Sequence, residues 1–424
     1  MINEPRASMS EFKAFSLLES IIDRVSLKGY KQPTPIQKEC IPALINGNDL
    51  LGIAQTGTGK TAAFSLPIIN KFGRDKIDRA KIDSKAKSTR SLILTPTREL
   101  ASQIMQNIDD YAEGLGLKTK VVYGGVGRQA QVDAIALGLD ILVATPGRLL
   151  DLIETGDINF EALEVFVLDE ADTMLDMGFF NDVQSIISKL PKKRQTLLFS
   201  ATMPAEIEIL AQAILTNPTK VQIAAETVTI DLVNQSVYHL DKSNKVPLLF
   251  NILEKPKYEK VLIFCKTKYG ADIIVKALEK ASITAASLHS GKTQAVREEA
   301  LQAFKESTLR VLVATDVAAR GIDVDNITLV INYNLPEDPR NYIHRIGRTA
   351  RAGKSGMAIS FAVENDIRQL TIIENSIGQA IPVVTQQPFH KEFSKAPIQT
   401  KKKKQVSKTS KKTNRTARTR TKRK

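Results

Sequence analysis

The chain has no tryptophan, two cysteines and four histidines among 424 residues, and aromatic side chains make up only 5% of it. Cys40 and Cys265 are too few for a disulfide framework or a cysteine metal site, and we expect two buried thiols in a reducing compartment. So few aromatic rings exclude a platform of stacked bases as the basis of any nucleic-acid reading. No stretch approaches the ~18 consecutive apolar residues of a membrane span. The amino terminus lacks the apolar centre of a secretory signal. We therefore expect neither membrane insertion nor export, and a cytoplasmic protein. Acidic residues are missing from one region altogether: residues 397–424 hold 13 Lys and Arg and no Asp or Glu. The net charge of +14 thus resides almost wholly in this segment, and the remainder is nearly neutral. Such a polycation cannot bury enough apolar surface to fold, and it suits phosphates of any sequence.

What is present is the material of two α/β domains. The length exceeds one ordinary core, and short apolar runs alternate with longer amphipathic stretches. Leu50–Ile53, Ser91–Leu94, Lys120–Tyr123, Ile141–Val143, Val165–Leu168 and Thr196–Phe199 form a first set. After a stretch without clear periodicity, Val261–Phe264, Thr284–Leu288, Val311–Val313, Leu329–Ile331 and Met357–Phe361 form a second. Runs apolar on both faces are the mark of parallel strands covered by helices. We expect a first domain over 1–220, a linker over 221–232, a second domain over 233–385 and a disordered basic tail over 386–424. The many Lys and Arg of 71–90 read as an exposed basic connection between a helix and a strand.

Ala54-Gln55-Thr56-Gly57-Thr58-Gly59-Lys60-Thr61 follows one such strand and precedes a helix-like stretch, the setting of a phosphate loop with Ala54 in place of its first glycine. Glycines let backbone N–H groups approach phosphate at a helix amino end. Lys60 suits the β- and γ-phosphate oxygens and the Thr61 hydroxyl suits Mg²⁺. Asp169-Glu170 ends an apolar strand, where ligands collect in such sheets. Asp169 is expected to hold Mg²⁺ and Glu170 to orient and deprotonate an attacking water.

Asp169-Glu170-Ala171-Asp172 is also the signature of the DEAD-box RNA helicases, and the chain resembles that family in order and spacing over about residues 12–370. Within it the chain looks most like the bacterial RhlE-type branch. The resemblance implies two tandem RecA-like domains, ATP and Mg²⁺ as ligands, and local, non-processive unwinding or remodelling of RNA duplexes and ribonucleoproteins, in ribosome assembly or RNA turnover. It implies that Gln37, within Gly29–Gln37, reads adenine through its amide, and that Phe12 supports that pocket. Thr56 and Thr58 join the phosphate loop. Ser200 and Thr202 would bond Asp172 and couple nucleotide state to strand separation. His344 would relay between motifs, and Arg348 and Arg351 would stabilise charge on the transferred phosphate. Asp323 would contact the ribose or those arginines. The family mostly has glycine at Ala350, a change expected to matter little.

RNA would be held through its backbone by Arg98, Gly125, Thr145 and Arg148 in the first domain. Thr267, Gln294, Arg297, Thr315 and Asp316 would serve in the second. Contact with 2′-hydroxyls would favour RNA over DNA. Partners implied are single strands and short duplexes of RNA, with ribosomal particles or RNA-decay proteins through the tail, and a monomeric core. A DNA translocase with the same phosphate loop and a non-catalytic RNA clamp are the rival readings.

Overall fold

The computed structural model describes residues 11–55, 57–78, 88–223, 232–256, 258–319, 324, 326–350 and 356–393. Thr56, Asp323, Arg351, most of the expected linker and the polycationic segment lie outside the described residues.

Two sheets organise the chain, and every recorded strand pairing in both is parallel. The first contains β1 (Leu50–Ile53), β2 (Thr89–Leu94), β3 (Thr119–Val122), β4 (Leu139–Ala144), β5 (Val165–Leu168), β6 (Gln195–Ser200) and β7 (Thr219–Gln222), in the order β3-β4-β2-β5-β6-β1-β7. The second contains β8 (Val233–His239), β9 (Val261–Phe264), β10 (Ala285–Leu288), β11 (Val311–Ala314), β12 (Leu329–Asn332) and β13 (Gly356–Ala362), in the order β10-β11-β9-β12-β13-β8. Central strands such as β5, β9 and β12 are buried at every position, because helices cover both faces of each sheet. The apolar clusters accordingly lie on the two sides of each sheet.

Both edge strands β7 and β8 fall in the stretch where the sequence showed no periodicity. β7 has a single buried residue, Val221. In β8 every second residue is buried, but Gln235 and His239 share that inward face with Val233 and Val237, and the polar pair hides the alternation. The first sheet therefore reaches two residues into the expected linker. The second domain also extends past its expected end. Val383 bridges to Val237, and the Gln387 side chain and Lys391 N–H both donate to the His239 carbonyl. Residues 386–393, assigned to the tail from sequence, lie along the β8 edge and cover it.

Candidate nucleotide and RNA sites between two domains

Parallel strands bring all their carboxyl ends to one edge, so each sheet presents its functional loops together. After β1 comes the phosphate loop. Gly57 and Gly59 have φ of +87° and +94°, the left-handed region where a side chain is strained. Ala54 has no such conformation, and its N–H donates to the Ser200 carbonyl at 3.0 Å. Glycine is therefore not needed there. Lys60 opens the helix Lys60–Asp78 and folds back, with Nζ 2.9 Å from the Ala54 carbonyl. Thr61 follows it in the first turn.

Asp169, Glu170 and Asp172 at the end of β5 are all buried. Burial pushes the Asp169 carboxyl up to about 6; Lys60 opposes this, and the charges of Glu170 and Asp172 add to it. Glu170 adopts φ 54° and ψ 51°, a left-handed conformation costing roughly 1–3 kcal/mol in a residue with a side chain. Its N–H donates to Asp169 Oδ1 at 3.0 Å. The Thr202 hydroxyl and N–H both donate to Asp172 Oδ2, at 2.9 and 2.8 Å, and the Asp172 N–H donates to Ser200 Oγ at 3.2 Å. Asp172 thus joins the ends of β5 and β6.

Two residues of the expected adenine pocket differ from expectation. Gln37 is 2% exposed; Oε1 accepts from the Thr34 N–H and Nε2 donates to the Gly59 carbonyl. An amide has two donors and two acceptor positions, so one of each is left. In this conformation Gln37 ties the segment to the phosphate loop. Phe12 is wholly buried and edge-on to Phe15, in the core that also holds Ile36 and Ile41. It presents no ring face to a ligand and braces the segment from within.

In the second domain the helix Pro339–Ile346 carries His344, and Arg348 follows, its Nε donating to the His344 carbonyl at 3.2 Å. Ala350 has φ +56°, so the glycine of the family pattern has a backbone reason and its replacement is not neutral. Arg345 bonds Asp316 through both carboxylate oxygens at 2.5 and 2.7 Å, and also donates to Asn332 Oδ1 and the Asn334 carbonyl. Asp316, assigned to RNA from sequence, is thus engaged inside its own domain.

The expected RNA residues sit at helix starts and just after strands in both domains. Arg98, first residue of a helix capped by Thr97, lies across Gly124 and Gly125, where a methyl on Gly125 would collide with its guanidinium. Burial and the nearby Arg297 lower the Arg98 pKa. Thr145 precedes the helix Pro146–Glu154, in which Arg148 donates to the Val126 carbonyl while its Nη1 is buried without a partner. Thr267 caps the helix Lys268–Lys280 through the Gly270 N–H, and Thr315 directly follows β11 with its N–H on the Leu288 carbonyl. Gln294 donates to Glu298 at 2.9 Å.

Arg297 departs from its expected role as a phosphate ligand: its Nη2 lies 2.6 Å from Glu99 Oε1 of the first domain, with both side chains buried. Further contacts among the described residues also cross the seam. Tyr123 Oη lies 3.2 Å from Glu298 Oε1, and Arg340 Nη2 lies 3.3 Å from Asp176 Oδ1. Glu99 belongs to the same short segment as Arg98, but neither it nor Tyr123, Asp176, Glu298 or Arg340 is assigned a role from sequence. Their partners are set by how two domains meet.

Comparison with known proteins agrees with this geometry. The family model described as DEAD/DEAH box helicase matches residues 34–210, and that described as helicase conserved C-terminal domain matches 244–353. The ATP-dependent RNA helicase CshA of Listeria monocytogenes is 41% identical over 368 residues, covering 87% of this chain and 69% of its own length. The ATP-dependent RNA helicase DeaD of Buchnera aphidicola is 41% identical over 376 residues, covering 88% and 61%. Among solved structures, S. cerevisiae Dbp5 bound to RNA and ADP BeF3 superposes with a TM-score of 0.76 at 28% identity, over 89% of this chain and 96% of that one. A DEAD box protein from Methanococcus jannaschii gives 0.50 at 36% identity, over 88% and 98%. These matches support the family and not the RhlE-type branch.

Proposed function

The chain belongs to the DEAD-box family of ATP-dependent RNA helicases, and from that premise we propose how its own residues couple ATP to RNA remodelling. The observation that carries the reading is the seam: the Glu99–Arg297 pair joins the helix that starts at Arg98 in the first domain to the helix that starts at Gln294 in the second. The better superposition on the RNA- and nucleotide-bound relative, despite its lower identity, supports a closed arrangement of this kind.

Lys60 leaves the Ala54 carbonyl for the β- and γ-phosphates of ATP, and Gln37 uses its remaining donor and acceptor on adenine. Glu170 holds and deprotonates the attacking water, and Arg348 and Arg351 neutralise charge on the transferred phosphoryl group. Mg²⁺ fits this site. Three buried carboxylates crowd together with Asp169 raised, and among the described residues no cluster of three protein ligands forms a metal cage. Asp169 and Thr61 would hold the ion, and it would supply neutralisation of phosphate charge. Thr202 and Ser200 pass the state of Asp172 to the neighbouring strand end.

Arg98, Gly125, Thr145, Arg148, Thr267, Gln294 and Thr315 hold the RNA backbone without reading bases. ATP and RNA each favour closure, so each tightens the other's binding. Closure bends one strand and disrupts a short duplex, and hydrolysis reopens the cleft. The 397–424 polycation adds sequence-independent affinity. An RhlE-type assignment, a cytoplasmic location, a monomeric core and action on ribosomal particles or with RNA-decay proteins complete the proposal.

The test is phosphate release with RNA or DNA of equal length. RNA should stimulate and DNA should not. Lys60→Ala and Glu170→Gln should each abolish the stimulation while melting like the parent. Normal turnover in Glu170→Gln would contradict its role, equal stimulation by DNA would favour a translocase, and RNA binding without any ATPase would favour a clamp.

A further inference from the structure

We propose that Tyr123 and Glu298 are positioning residues that form a second RNA-side closure contact, linking the Gly124-Gly125 turn of the first domain to Gln294 of the second. The inference rests on the proposed function, since it concerns how the RNA track is assembled. Tyr123 follows β3 directly and precedes the two glycines on which Arg98 lies. Its backbone is fixed there: the N–H donates to Gln131 Oε1 at 3.2 Å, and Gln131 Nε2 donates to the Tyr123 carbonyl at 3.3 Å. The ring packs against the core of the first domain.

The direction of the hydrogen bonds follows from the groups. An ionised carboxylate only accepts. The Tyr123 hydroxyl therefore donates to Glu298 Oε1 at 3.2 Å and accepts from Ser102 Oγ at 3.4 Å. Burial raises the Tyr123 pKa, and the charges of Glu298 and Glu99 add to that, which keeps the proton on the donor. The same Glu298 oxygen accepts from Gln294 Nε2 at 2.9 Å, one turn earlier on the helix Gln294–Lys305. One carboxylate oxygen thus binds a donor from each domain, the Gln294 amide within its own helix and the Tyr123 hydroxyl across the seam. Arg297 and Glu298 are adjacent, so one turn of helix makes two contacts with the first domain, one buried and one at the rim.

When the domains part, water replaces Glu298 as the acceptor of the Tyr123 hydroxyl, while Ser102 of the same domain stays in place. The contact can contribute only to the closed form, and that gives it a distinctive signature. A labelled single-stranded RNA is titrated by anisotropy with and without a non-hydrolysable ATP analogue and Mg²⁺. Tyr123→Phe keeps the ring and removes one hydroxyl. It should leave affinity without nucleotide unchanged and lower affinity with the analogue by about threefold to tenfold. Glu298→Ala should do the same, and the double variant should be no weaker than Glu298→Ala alone. Parental affinity of Tyr123→Phe in the presence of analogue, equal losses with and without it, or additive losses would each overturn the contact. If the parent protein gains no affinity from the analogue, the proposed ATP–RNA linkage has failed, and this inference fails with it.

Discussion

The carboxyl edge of the second sheet and the seam between the domains each hold a buried arginine paired with a carboxylate, though Asp316 keeps 30% of its side chain exposed, and the two pairs serve different equilibria. Arg345 and Asp316 belong to one domain, meet through two oxygens, and are joined by Asn332 and Asn334. Arg297 and Glu99 belong to different domains and meet through one oxygen, with Glu99 Oε2 and Arg297 Nε buried without partners. Burial raises the Glu99 pKa despite Arg297, so desolvation outweighs the attraction. The first pair is part of folding. On the proposed mechanism the second would form only when the cleft closes, a costly contact that would make closure specific.

Breaking the in-domain pair should have the largest effect. Arg345→Met removes four hydrogen bonds and leaves the Asn332 Oδ1 and Asn334 carbonyl acceptors without their donor, so it should destabilise the second domain by roughly 3–5 kcal/mol. In thermal unfolding this appears as an early transition of one domain, with the first unchanged. A single transition at the parental temperature would remove the distinction.

The seam pair should respond differently. Arg297→Met strands a buried carboxylate in the closed form only, so unfolding should change little. RNA affinity with an ATP analogue should fall by about a hundredfold, corresponding to roughly 3 kcal/mol. Removing both charges, Glu99→Leu with Arg297→Met, should restore much of that affinity, because an apolar pair has no desolvation penalty. A double variant as weak as the single one would show that Arg297 acts on RNA directly, as its sequence position first suggested.

The same contrast explains what was legible in the sequence. The phosphate loop, Asp169–Glu170 and Ser200–Thr202 each follow a strand in consecutive residues, so strand pattern and residue type together locate them. Asp316 and Arg297 were found as polar residues near strand ends, but their partners lie 29 and 198 positions away, and nothing local distinguishes a ligand-binding side chain from an ion-paired one. β8 escaped because Gln235 and His239 occupy its inward face, where Gln235 Oε1 accepts from the Tyr342 hydroxyl at 2.9 Å. Ala350 was misjudged because residue type reveals a missing function but not a positive φ.

That last residue gives the next prediction in size. Ala350 pays a left-handed backbone penalty that glycine would not, about 1–2 kcal/mol, partly offset by glycine's greater freedom when unfolded. Ala350→Gly should stabilise the second domain by about 1 kcal/mol and raise its melting temperature by about 2–4 °C. It should leave ATP-linked RNA affinity nearly unchanged, which places it with Arg345 on the folding side. A lower melting temperature would mean that the alanine methyl makes packing contacts outweighing the strain.

The smallest effect is expected where the seam is wet. Arg340 reaches Asp176 at 3.3 Å with 52% of its side chain exposed, and it shares its guanidinium with Asp338 at 2.7 Å in its own domain. Water screens such a pair and Asp338 competes for it, so it should contribute less than about 1 kcal/mol to closure. Arg340→Ala should therefore weaken analogue-dependent RNA affinity by less than about fivefold, and the difference should shrink as salt rises. Desolvation, more than the mere crossing of the seam, would then set the energetic weight of a contact. A loss as large as that of Arg297→Met, persisting at high salt, would reverse this conclusion and make the Arg340–Asp176 contact a main clasp of the closed form.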